Sequence, residues 1–133
     1  MPKFLLIMRY EGGKGCDVPM TEWSPADVQA HIRFQHDLNR QLEESGELVA
    51  AQGLAGPDLA KIVVSDGASA PVVTDGPYLE AKEFLAGYRM VDVDSVERAV
   101  EIAATMSAAP SVGGAPIQQP ITVQQLMSIQ AEL

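Results

Sequence analysis

One cysteine, two histidines and nine cationic side chains in 133 residues are too few for several kinds of chemistry. The lone Cys16 rules out an intrachain disulfide and fits a reducing compartment. Zinc needs a set of Cys, His or carboxylate ligands, and Cys16, His31 and His36 do not share a face that would supply one. Nine Lys and Arg against eighteen Asp and Glu leave a net charge of -9. Phosphate backbones and anionic membrane surfaces are held by clustered cations, so neither nucleic acid nor membrane is expected as a partner. A small acidic ligand would have to be met by one of these few cations. No apolar run approaches the roughly 20 residues of a membrane span. Met1-Pro2-Lys3-Phe4 reads as the start of a strand and not as a signal peptide. The expectation is a cytoplasmic protein of one domain, residues 1–133, with no metal and no cofactor.

Three familiar signatures are also missing. Gly-Gly-Lys-Gly (residues 12–15) lacks the spacing and the Gly-Lys-Ser/Thr end of a phosphate loop, and no Gly-rich dinucleotide fingerprint follows a strand. No nucleophile elbow supports a Ser-His-Asp triad.

What the chain does carry is concentrated in Thr74 to Asp94. Asp75-Gly76-Pro77 is a turn signal, because Gly admits positive φ and Pro fixes φ while removing a donor. Glu80, Lys82 and Glu83 follow within a few residues, beside Tyr78 and Phe84. Gly87 then opens a strand ending at Val93, and Asp94 or Ser95 caps a helix.

The rest of the chain frames this stretch. Lys3 to Tyr10 is apolar on both faces, as a mid-sheet strand is. Arg9 near its end either snorkels to the rim, the commoner outcome, or reaches a ligand. Ser24-Pro25-Ala26-Asp27 starts a helix that runs to Ser45 and stops at Gly46. Val28, Ile32, Phe34, Leu38 and Leu42 form its broad apolar face, with His31 and Gln35 in the middle. Such a polar pair either hydrogen-bonds in the core or reaches a cavity, whereas His36 lies off that face. Glu47 to Gly53 is a second strand, and residues 61–65 and 71–74 form a hairpin. Val96 to Met106 shows helical spacing, and Ile117 to Met127 alternates as a last strand.

Asp75-Gly76-Pro77-Tyr78, then Glu80-Ala81-Lys82-Glu83, then Leu85-Ala86-Gly87-Tyr88 resembles the signature of the DGPF, or YCII-related, proteins. The chain departs from it by Tyr78 for Phe, which keeps the ring. The resemblance implies a dimeric α+β barrel and, from family members found with extracytoplasmic-function sigma factors, a regulatory association. No sigma-like region is present in this chain. Related proteins often carry a His near the position of Gln35, and Gln cannot act as acid or base.

Strand, helix, strand, hairpin, strand, helix, strand describes an α+β, ferredoxin-like βαββαβ antiparallel sheet with an extra hairpin strand. Its helices cover one face, so a second copy is expected on the other, making a homodimer. The expected site has Asp75, Glu80, Lys82 and Glu83 as catalytic candidates, with Tyr78, Arg9, His31 and Gln52 around a small ligand. A ligand-binding or regulatory module is the favoured function, since no catalytic constellation is complete. The alternative is a small enzyme using carboxylate acid–base chemistry on a small organic substrate.

Overall fold

The computed structural model describes residues 2–9, 18, 20–75 and 85–128. Six strands and two helices are built from them: β1 (Lys3–Arg9), α1 (Pro25–Glu44), β2 (Leu48–Gly53), β3 (Lys61–Val64), β4 (Val72–Asp75), β5 (Leu85–Asp92), α2 (Val96–Ser107) and β6 (Ile121–Gln125). Four strands form one sheet in the order β2-β5-β1-β6, with every neighbouring pair antiparallel. This mixed α+β arrangement is compatible with a ferredoxin-like fold.

The helix ends follow local chemistry. Ser24 Oγ accepts the Asp27 N–H at the start of α1, where Pro25 needs no donor. At the other end Gly46 takes φ of 80°. The Gly46 N–H donates to Glu43 O and the Glu47 N–H to Leu42 O, a Schellman closure. Ser95 caps α2 by accepting the Arg98 N–H.

Residues paired across antiparallel strands point to the same side of a sheet. Phe4 and Leu6 of β1 therefore share a face with Val91 and Arg89 of β5. Leu38 and Leu42 of α1 and Ala99, Ile102 and Met106 of α2 pack on that same face, so both helices lie on one side. Leu6 and Val91 are fully buried, and each such side chain contributes about 1.5–3 kcal/mol by leaving water. The opposite face carries Leu5, Ile7, Tyr88, Met90, Ala50 and Gln52, and no helix among the described residues covers it.

Three expectations are corrected. The hairpin of β3 and β4 forms a two-stranded sheet of its own and adds no strand to the main one. Its tight turn, where Asp66 accepts from Ala68 N, Ser69 N and Ser69 Oγ, lets the two strands satisfy each other locally. The last strand begins at Ile121 and not Ile117, because Pro116 and Pro120 lack ladder donors and Gln118 adopts φ of 54°. Ile117 instead packs beside Trp23 and Ala109. Ile32 is 46% exposed and off the buried face of α1, which is centred on Leu38 and Leu42.

Candidate functional site

A row of polar side chains crosses the layer between α1 and the sheet. Arg89, in the middle of β5, points to the helix-covered face and is 2% exposed. Its Nε donates to Asn39 Oδ1 at 2.8 Å. Its Nη2 donates to Gln35 O at 3.1 Å and to Gln35 Oε1 at 2.8 Å. Both partners sit on α1 one turn apart, the spacing that lets neighbouring turns grip one guanidinium.

The row continues along α1. His31 Nδ1 lies 2.9 Å from Pro110 O, and a carbonyl only accepts, so the proton is on Nδ1. In the neutral ring Nε2 is then an acceptor, and Gln35 Nε2 donates to it at 3.3 Å. The same Gln35 thus accepts from Arg89 with its oxygen and donates to His31 with its nitrogen, which fixes the orientation of its amide. The Trp23 ring stands edge-on to the His31 ring, with centroids 5.6 Å apart and planes at 78°. Trp23 is held by its own Nε1 donating to Val18 O at 2.9 Å.

Electrostatically the row is lopsided. Arg89 takes part in no ion pair among the described residues, and its hydrogen-bond partners are all neutral amide oxygens. Burial pushes its guanidinium down to about 10, so it remains charged at neutral pH. Its Nη1 is closed off from solvent and has no hydrogen-bond partner among the described residues. Buried charges are ordinarily paired, so this nitrogen is the most unusual polar atom of the row.

The residues expected from sequence are divided by the fold. His31 belongs to the row. Gln52 pairs with Tyr88 on the opposite face of the sheet, where it donates to Gly53 O. Arg9 ends β1, and its main-chain carbonyl accepts from Gln119 Nε2. Asp75 ends β4 on the exposed hairpin, 2.6 Å from Lys61 Nζ. Tyr78, Glu80, Lys82 and Glu83 lie outside the described residues. No group of three or more His, Cys, Asp or Glu that could hold a metal gathers among the described residues.

Arg89 and Asn39 were not foreseen as site residues. Arg89 falls within the strand that the sequence predicts after Gly87. The useful signal was that Arg89 shares its register face with Val91 and Val93.

Fold and row together define an α+β protein with a buried, uncompensated cation held between its first helix and its sheet. The YCII-related domain matches residues 4–117, and the chain belongs to that family. It is 32% identical over 92 residues to an uncharacterized protein of Rhizobium meliloti (strain 1021), covering 68% of this chain and 73% of that one.

Proposed function

We propose that this chain is a single-domain, small-ligand-binding or regulatory module of the cytoplasm that works as a homodimer. The ligand site is the row of His31, Gln35, Asn39 and Arg89. The observation that carries the reading is the Arg89 guanidinium, buried at 2% exposure with one nitrogen unpartnered among the described residues. A core serving stability alone gains nothing from such a group, because an apolar side chain of similar volume is as good or better there. A preorganised site does gain, since its donor is fixed before the ligand arrives.

Support for a second copy comes from the surface. Leu5, Tyr88 and Met90 stand half-buried on the sheet face that no helix among the described residues covers. Val63, Val64, Val72 and Val73 of the hairpin are each more than half exposed. Two short strands alone are marginal in water, and apolar ribbons of this kind are normally packed against something. Pairing two bare faces back to back would give the dimeric α+β barrel.

The test of the ligand reading is native mass spectrometry of the purified protein beside its Gln35→Leu variant. An adduct on the first that is lost on the second supports the reading. No adduct on either, with no small molecule from a broad library raising the melting temperature, overturns it.

The second reading is acid–base catalysis by Asp75, Glu80 and Glu83 tuned by Lys82. Of these residues Asp75 is described, and its exposed carboxylate lies 2.6 Å from Lys61 Nζ. Asp75→Asn should then abolish turnover of the ligand found, while leaving its binding and the melting temperature unchanged.

A further inference from the structure

We infer that Arg89 is the anchor for a small organic monocarboxylate, an assignment that rests on the ligand-site reading above and gives that ligand a chemical class. A guanidinium has five N–H donors in a fixed fork. Three are used in Arg89, one on Nε to Asn39 and two on Nη2 to Gln35. The remaining two are both on Nη1, and they have no acceptor among the described residues. The missing partner is therefore a group that accepts at one defined point and carries the counter-charge that no neighbour among the described residues supplies.

Charge selects within that class. One buried cation is neutralised by one negative charge, and the chain carries a net charge of -9. A dianion such as a phosphate monoester would leave an uncompensated negative charge in the interior, which burial penalises heavily. A carboxylate leaves none, and its oxygens suit the planar donors of Arg.

Shape indicates an organic body behind the carboxylate. On the face of the sheet that carries Arg89, its neighbour across β2 is Ala51, and the next pair along is Gly53 and Gly87. A Cβ added at Gly53 would meet nothing within 4 Å. Met8 Cε lies over the Gly87 side of this strip, 3.1 Å from where a Cβ would stand, so among the described residues the strip is open only toward its Gly53 end. A short apolar chain lying along it would cover the surface that these residues leave bare. His31 contributes through Gln35, whose amide it holds with its oxygen toward Arg89. It acts as a positioning residue.

The experiment uses the full chain with 15N-labelled arginine and follows the guanidinium resonances during titration. Sodium propionate is the probe, with sodium chloride and sodium phosphate at matched ionic strength as comparisons. The Arg89 signal is identified by its loss in Arg89→Lys. Propionate is expected to shift that signal saturably, phosphate at least tenfold more weakly and chloride not at all. Arg89→Lys should weaken propionate binding tenfold or more, read by calorimetry. A His31→Phe variant should retain binding at reduced affinity, because Gln35 loses its holder but Arg89 stays. The inference is overturned if propionate leaves the Arg89 signal unmoved, or if phosphate binds as well as propionate. The wild-type titration decides between these outcomes even if a variant fails to fold. The broader reading has its own outcome: an adduct that depends on Gln35 but does not compete with propionate leaves a ligand site standing and removes only its carboxylate.

Discussion

Gln35 meets Arg89 twice, accepting from the same Nη2 with its main-chain oxygen at 3.1 Å and its side-chain oxygen at 2.8 Å. One residue of α1 thereby fixes a cation of β5 by both its backbone and its amide. The clamp predicts strong non-additivity. Gln35→Leu removes an acceptor from Arg89 and a donor from His31, and should cost about 1–3 kcal/mol in denaturant unfolding. Arg89→Met alone leaves Gln35 and Asn39 with buried unmet oxygens and should cost a similar amount. Combining Gln35→Leu, Asn39→Leu and Arg89→Met should recover much of the loss, because no polar group is then orphaned. Simple addition of the three single costs would count against the clamp.

Gly87 is held to its identity by approach rather than by an unusual φ. A Cβ there would lie 2.8 Å from Gln52 O and 3.2 Å from Gly53 Cα, both backbone atoms that cannot swing aside. Gly87→Ala should therefore push β2 from β5 and destabilise by about 1–3 kcal/mol. Gly53→Ala meets open space and should be near neutral in the same urea melts. Equal costs for the two would show that the close approach is not what selects Gly87.

The acid limb of stability should trace to Glu47. Arg98 donates to it from Nε at 2.8 Å and from Nη2 at 2.9 Å, and Ser45 Oγ adds a third bond. The Arg98 hydrogen bonds, more than anything else, hold the Glu47 carboxyl below its ordinary value of 4.5. A carboxyl depressed on folding contributes stability above its unfolded value, and that stability is lost as pH falls through the folded value. Arg98 is 40% exposed, so solvent limits the contribution to about 1 kcal/mol or less. Glu47→Gln should flatten the stability profile below pH 4.5 and lower the plateau above it. An unchanged profile would assign the acid limb elsewhere. Asp66, held at about 2 chiefly by the Ser69 backbone N–H, also loses its bonds in this acid range.

The proposed homodimer makes a plain prediction about the sheet face that no described helix covers. Met90→Glu places a charge among Leu5, Tyr88 and the partner's matching surface. Light scattering should show a dimer for the parent chain at micromolar concentration and a monomer for Met90→Glu, with the fold retained by circular dichroism. A monomeric parent chain would remove the barrel.

Much of the fold was legible because its signals are local. Ser24-Pro25, Gly46 and Ser95 mark helix ends through hydrogen bonds made within a few residues. Alternation and apolar runs found β1, β2 and β5 for the same reason. The site was less legible because its residues come from distant parts of the chain. Nothing near Arg89 in sequence reveals that Gln35 and Asn39, some fifty residues earlier, will stand over it. The period-2 pattern shows that Arg89 is opposite Tyr88, but which face the helices cover is decided by the tertiary fold. Ile32 misled for a related reason: apolar character alone does not say where a helix face is centred, and α1 centres on Leu38 and Leu42. Asp75 was recognised by its turn motif, and the structure shows it paired with Lys61 across the hairpin.

The most direct test is a high-resolution crystal structure of the protein as purified, inspected at Arg89 Nη1. The account predicts planar density larger than a water within hydrogen-bond distance of that nitrogen, lying toward Ala51 and Gly53, with Gln35 and Asn39 still on Nη2 and Nε. A protein acceptor on Nη1, or one isolated water there with side chains filling the strip, would contradict it.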